Sequence, residues 1–214
     1  MHDEKNKMIK AIIFDLGGVL ITLDKARCIR AFQEKAGFAR IEEFLDTCHQ
    51  RGMIGEIEAG AIDEATFYAR CLQYCAPGTT AETVRDCMHA LLNPVQPEIV
   101  ALLQQLQKRY DLYILTNNSS VTMTRTRADA LSAGLDFDHA FKRVFVSQDL
   151  KMLKPSREIF DYVIARTGLR PDELLYVDDS PRNVEAARAA GMNAVHHDPA
   201  TDLAATLARV PLVL

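Results

Sequence analysis

Residues 9–20, reading IKAIIFDLGGVL, constrain this chain more than any other stretch. Ile9, Ala11, Ile12, Ile13 and Phe14 form an almost unbroken apolar run rather than an alternation, the pattern of a strand covered on both faces in a parallel sheet. The run ends in one carboxylate, Asp15. Gly17 and Gly18 follow, letting the backbone turn sharply and approach a ligand with no Cβ in the way. In open α/β sheets ligands sit beyond the carboxyl ends of the strands, which makes Asp15 a candidate functional residue. An aspartate before glycines also makes turns and helix caps, so the assignment needs support from elsewhere in the chain.

A chain of 214 residues is long enough to bury about 70% of its unfolded surface and needs no disulfides to hold a core. The five cysteines, Cys28, Cys48, Cys71, Cys75 and Cys87, contain no CxxC pair and read as reduced, packed thiols. Cys71 and Cys75, with Cys48 and His49 nearby, stand at ordinary core spacing for a helix rather than as a zinc set. A net charge of −4 and a pI near 5.9 leave no electrostatic footprint for nucleic acid or an anionic membrane. The opening MHDEKNK has no apolar signal-type core, and no run of eighteen apolar residues occurs, so the expectation is a soluble, cytoplasmic protein.

After the first strand, residues 23–93 read as helices. Asp24 caps a helix that reaches Ala36 and stops at Gly37. Ile41 to Cys48 continues the helical pattern, and Gly52, Gly55 and Gly60 punctuate a loop-rich stretch. Asp63 caps a helix over Glu64 to Tyr74, and Thr79 with Glu82 forms a capping box for a helix through Leu92. From Pro97 the pattern becomes strand and helix in alternation. Strands are expected at Leu112 to Leu115, Val144 to Ser147, Leu174 to Val177 and Ala194 to His196, with helices at Glu98 to Lys108, Arg157 to Arg166 and Asn183 to Ala190. This is an α/β chain with a doubly wound parallel sheet. The expected core spans residues 1–21 and 95–214, and residues 22–94 form a small inserted helical-bundle cap.

Three strands end in polar residues: the first in Asp15, the second in Thr116 and Asn117, the fourth in Asp178 and Asp179. Such ends converge at the switch point of a doubly wound sheet. Adjacent carboxylates repel unless a cation or hydrogen bonds compensate, and with Asp15 they offer hard oxygens that suit Mg²⁺. Alternatively one of the pair caps the next helix together with Ser180. Lys154 would be a surface charge on its own, but it stands before Pro155 in a turn that leads directly into a helix. Arg125, Arg127 and Arg182 are candidates to extend the pocket towards a phosphate tail, with helical surface charge the favoured reading for the first two. His196 and His197 are neighbours on a strand, point to opposite faces and do not share an ion.

Taken together, FDLGGVL, YILTNN, the KP of LKPSREIF and YVDDSPRNVEAARAAGM resemble, in that order, the four motifs of the haloacid dehalogenase (HAD) superfamily. The helical insert is similar to its C1-type cap on a Rossmann-like core, and the first and fourth motifs look most like the sugar-phosphate phosphatase branch. The resemblance implies an Mg²⁺-dependent phosphatase of a small phosphorylated metabolite. Asp15 would attack phosphorus to form an aspartyl phosphate, while Thr116, Asn117 and Lys154 would hold the phosphoryl group. Asp15, the Gly17 carbonyl, Asp178 and Asp179 would hold the metal, with Asp178 direct or through water. One departure stands out. The family's phosphatases carry a second aspartate two residues after the nucleophile as general acid and base, and here that position is Gly17. His49 and Glu56 are candidate replacements, or the substrate has a leaving group that needs little protonation. The alternatives are a metal-independent haloacid dehalogenase and a phosphometabolite-binding protein with little turnover.

Overall fold

The computed structural model describes residues 8–45, 52–210 and 212. Its centre is a parallel sheet of five strands, β1 Ala11–Phe14, β2 Asp111–Thr116, β3 Arg143–Val146, β4 Leu174–Asp178 and β5 Asn193–His196, in the order β3-β2-β1-β4-β5. β1 is the middle strand. The chain winds outward from it through β2 to β3, then returns to β4 on its other side, which places the switch point beside β1.

Both faces of the sheet are covered, which explains the unbroken apolar runs. Ile12, Phe14, Leu112, Ile114, Leu175 and Val177 enter one buried cluster. Their neighbours Ala11, Ile13, Tyr113, Leu115, Leu174 and Tyr176 enter the cluster on the opposite face. The covering helices are α5 Pro97–Leu106, α6 Ser120–Ser132, α9 Arg157–Thr167, α10 Pro181–Ala189 and α11 Leu203–Leu207, with the short α7 Phe137–Ala140 and α8 Ser147–Leu150 flanking β3.

Between β1 and β2 lie α1 Lys25–Lys35, a 3₁₀ turn at Ile41–Glu43, α2 Gly52–Glu58, α3 Glu64–Leu72 and α4 Ala81–His89. These elements share a buried cluster of their own, with Phe32, Phe38, Phe67, Val84 and Cys87 at its centre and Val121 of α6 closing it from the sheet side. The chain enters and leaves this unit side by side: Asp24 N donates to Leu91 O at 2.7 Å, Asn93 N to Thr22 O at 3.1 Å, and the Arg27 guanidinium to the carbonyls of Ala90 and Leu92.

Three expectations need correction here. Residues 52–58 are a helix rather than a loop, because Met53, Ile54 and Ile57 give it an apolar face that outweighs the low helix propensity of Gly52 and Gly55. The cap of α4 is Thr80, whose hydroxyl accepts from Thr83 N at 3.2 Å, while Thr79 donates to Ala76 O and Glu82 pairs with Arg85. Of the helix expected from Ile41 to Cys48, the described part is a 3₁₀ turn at Ile41–Glu43, and Cys48 and His49 lie outside the described residues. Cys28, Cys71 and Cys87 are buried free thiols and Cys75 is half-buried. Among the described residues no helix is long and apolar enough to cross a membrane.

Candidate active site

Strand register assembles the site. Phe14 of β1 pairs with Ile114 of β2 and with Val177 of β4, so Asp15, Thr116 and Asp178 leave the sheet at one level. Asp15 N still donates to Val177 O at 2.8 Å, holding the residue in line with the strand. Its Oδ1 accepts from Leu16 N at 2.7 Å, which leaves Oδ2 for Lys154.

Lys154 is buried, 2% exposed, and satisfies all its donors: Nζ reaches Asp15 Oδ2 at 2.9 Å, Asp178 Oδ2 at 2.8 Å and Leu115 O at 3.0 Å. Asn117 fixes it there. Its Oδ1 accepts from Lys154 N at 2.9 Å and its Nδ2 donates to Lys154 O at 3.0 Å. The side chain of Asn117 therefore positions the lysine, and only its main chain is free to meet a ligand. Asp178 is saturated as well. Ser180 N, Asn183 Nδ2, Lys154 Nζ and the Tyr176 hydroxyl all donate to its two oxygens.

Burial opposes ionisation of Asp178, but these donors, Lys154 above all, hold its carboxyl below the usual range. Asp15 goes the other way. Burial, with the Asp178 charge behind it, pushes its carboxyl up to about 7 against the pull of Lys154. Burial and Asp178 raise Asp179 too. One ammonium thus faces three carboxylates, whose ligand oxygens lie within 4.8 Å of one another. That is a hard-oxygen set with uncompensated negative charge, and it fits a small divalent cation.

Gly18 is the glycine the site requires. Its φ of 78° lies in the left-handed region, and a Cβ there would run into the Asp179 carboxylate. Gly17 has no such φ, and a Cβ on it would meet Leu23 Cδ1 at 3.0 Å. Gly18→Ala is expected to destabilise the fold by at least about 1 kcal/mol and to displace Asp179. Thermal melts check this, the variant unfolding at a lower temperature than wild type.

Above these residues lies a cavity of about 410 Å³, within the range of small-ligand sites. Asp15, Thr116, Lys154 and Asp179 form its floor, and Leu23, Ile54, Glu58 and Met88 of the inserted unit close it from above. Arg182 lines it, whereas Arg125 and Arg127 pair with Asp129 and Asp138 at the surface. Glu56 is engaged with Arg70. His196 contacts Asp179 O and buried His197 contacts Thr206, on opposite sides of β5. Glu58 was not anticipated. Ile54, Ile57 and Glu58 stand at i, i+3 and i+4, so a helical reading of residues 52–58 would have put it on the cavity face.

Comparisons with known proteins show relatives of the same fold. D-ribitol-5-phosphate phosphatase of Bacteroides thetaiotaomicron is 29% identical over 91% of this chain and 95% of its own. A HAD family enzyme of the same organism, solved as a variant in complex with magnesium and inorganic phosphate, superposes with a TM-score of 0.87 at 28% identity, over 91% of this chain and 96% of that one. A HAD-like hydrolase of Porphyromonas gingivalis gives 0.85 at 30% identity, over 94% and 97%. The model for the haloacid dehalogenase-like hydrolases matches residues 9–191, and the chain belongs to that family of hydrolases.

Proposed function

We propose that this hydrolase is an Mg²⁺-dependent phosphatase acting on a small phosphorylated metabolite, a sugar or polyol phosphate, through an aspartyl phosphate on Asp15. The observation that carries the reading is the pairing of Asp15 with buried Lys154 at the end of the central strand, at the floor of a cavity and beside two further carboxylates. The phosphatase names of the relatives support it, D-ribitol 5-phosphate being one chemical guide.

In this reading residues 1–21 and 95–214 are the catalytic core and residues 22–94 a cap that covers the substrate. Asp15 Oδ2 attacks phosphorus in line while Oδ1 stays on Leu16 N, and Lys154 balances charge on the nucleophile and the phosphoryl oxygens. The Thr116 hydroxyl and the main-chain N–H at Asn117 hold phosphoryl oxygens. Asp15, the Gly17 carbonyl and Asp179 would hold Mg²⁺. Asp178, with its oxygens already taken, would act through a bound water. When bound, the ion supplies charge neutralisation for the phosphate and for the carboxylates around it. Arg182 at the cavity wall suits a polar substrate tail. We place the reaction in the cytoplasm, where the free thiols stay reduced.

Phosphate release from a panel of sugar and polyol phosphates, with and without Mg²⁺, tests this. Chelation is expected to abolish release and Mg²⁺ to restore it. At 100 times its dissociation constant the ion should stabilise the fold by about 2.7 kcal/mol, a gain that Asp179→Asn removes. No phosphate release, with metal-independent halide release from haloacids, would overturn the proposal in favour of attack on carbon. Tight phosphometabolite binding without turnover would overturn it in favour of a binding protein.

A further inference from the structure

An alkyl phosphate needs a proton on its leaving oxygen, and the floor of this cavity has none to offer. Asp15 is committed to phosphorus, Lys154 to two carboxylates and a carbonyl, and Asp178 to four donors. Asp179 belongs to the proposed metal set, and residue 17 has no side chain, its place being taken by Leu23. Building on the phosphatase reading, we propose that Glu58, reaching the cavity from α2, is the general acid and base of the reaction.

The helix end that carries Glu58 is pinned to the sheet. The buried Ser147 hydroxyl donates to Glu58 O at 2.6 Å and in turn accepts from Asn118 N at 3.0 Å, linking α2 to the loop that follows Thr116. Two residues on, Gly60 (φ 64°) lies so close to Gln148 O that a Cβ would not fit. These contacts fix the backbone on both sides of Glu58, whose side chain lines the cavity. Glu56, two positions back and on the other side of the helix, is held by Arg70.

The protonation state suits the task. Burial, and then the charge of Asp15, push the Glu58 carboxyl up to about 8, with Lys154 pulling the other way. Asp179 lies on the cavity floor and Arg182 on its wall, and the Lys151 stem approaches Gly60. On α3, Glu64 is bonded to Tyr68 and Ser120, and Arg70 to Glu56. At neutral pH Glu58 therefore carries a proton. As the bond from Asp15 to phosphorus forms and the bond from phosphorus to the leaving oxygen breaks, that proton passes to the leaving oxygen. The resulting carboxylate then takes a proton from the water that attacks phosphorus and releases Asp15, returning Glu58 to its starting state.

Glu58→Gln tests this through kcat/KM, which reports the steps up to leaving-group departure. For an alkyl phosphate kcat/KM should fall by about 10²–10⁴-fold, while for p-nitrophenyl phosphate, whose leaving group needs no proton, it should stay within about threefold. Wild-type kcat/KM on the alkyl phosphate should decline as pH rises through about 8, and that decline should vanish in the variant. Glu58→Asp, which keeps an acid one methylene short, should recover part of the alkyl rate, a recovery that loss of packing alone would not show. Equal losses on both substrates, or no loss on either, would overturn the role of Glu58 and leave the phosphatase reading standing. A wild-type protein that releases phosphate from neither substrate would overturn both.

Discussion

Asp15→Asn is expected to abolish phosphate release, by roughly 10⁴-fold or more, because it removes the oxygen that would attack phosphorus in the proposed mechanism. The same substitution should leave the fold intact and, without metal, make it more resistant to heat. In wild type, burial raises the Asp15 carboxyl from its ordinary 3.8 to about 7, so the native state binds this proton more tightly than the unfolded chain does. The contribution of Asp15 to stability is then fully present below about 3.8 and is lost as pH rises through about 7. Asparagine has no charge to desolvate, and Lys154 keeps Asp178 and Leu115 O as partners. Melts in chelator should coincide near pH 3 and separate in favour of the variant by pH 8. Added Mg²⁺ should reverse the order by stabilising wild type preferentially. Appreciable turnover by a verified asparagine variant would remove the covalent mechanism.

A stability gain from deleting the central carboxylate is what a functional site predicts, since such sites hold charge that the fold alone would not choose. The sequence shows where that charge sits because strand physics is local. An unbroken run such as Ala11–Phe14 is a buried strand, and the first polar residue after it lies at the sheet's carboxyl end. Asp15, Thr116 and Asp178 were therefore legible from pattern alone, and their convergence followed from the parallel register. Lys154 was legible chiefly through the family motif. Nothing local says that a lysine before a proline will be buried, because its burial depends on partners 139 and 24 residues away in Asp15 and Asp178.

What stayed hidden depended on tertiary contacts. Asn117 reads as one more polar residue at a strand end, and its role as a clamp on Lys154 exists only once two distant loops meet. Gly17 and Gly18 look alike in sequence, yet only Gly18 stands against Asp179 in a left-handed conformation. Glu58 was hidden by an error of local reading: three glycines within nine residues suggested a loop, and a loop has no face to assign. Burial of Met53 and Ile57 in the insert's core made the stretch helical, and the helix turned Glu58 towards the cavity.

Lys154→Met is expected to show the largest loss of stability, about 3–5 kcal/mol, which for a chain of this size lowers the melting temperature by roughly 6–20 °C. The reason lies in what is left behind. Methionine fills the volume of the lysine stem, but Asp15 and Asp178 would face each other with no cation between them, in a site where both are buried. Lys154 is the leading reason that the Asp178 carboxyl sits below its ordinary value in spite of burial, so its favourable contribution is present above about pH 3.8 and lost as pH falls further. Without the lysine that stabilisation is gone, and burial should drive both carboxyls upward. The melting gap between wild type and variant, measured in chelator, should be widest near neutral pH and should narrow as acid neutralises the two carboxylates. Phosphate release should be lost across the whole range, since protonation relieves the repulsion without restoring a cation to the phosphoryl oxygens. A gap that stayed constant with pH would mean that Lys154 stabilises the fold by packing its stem, and the charge balance assigned to it here would have to be abandoned.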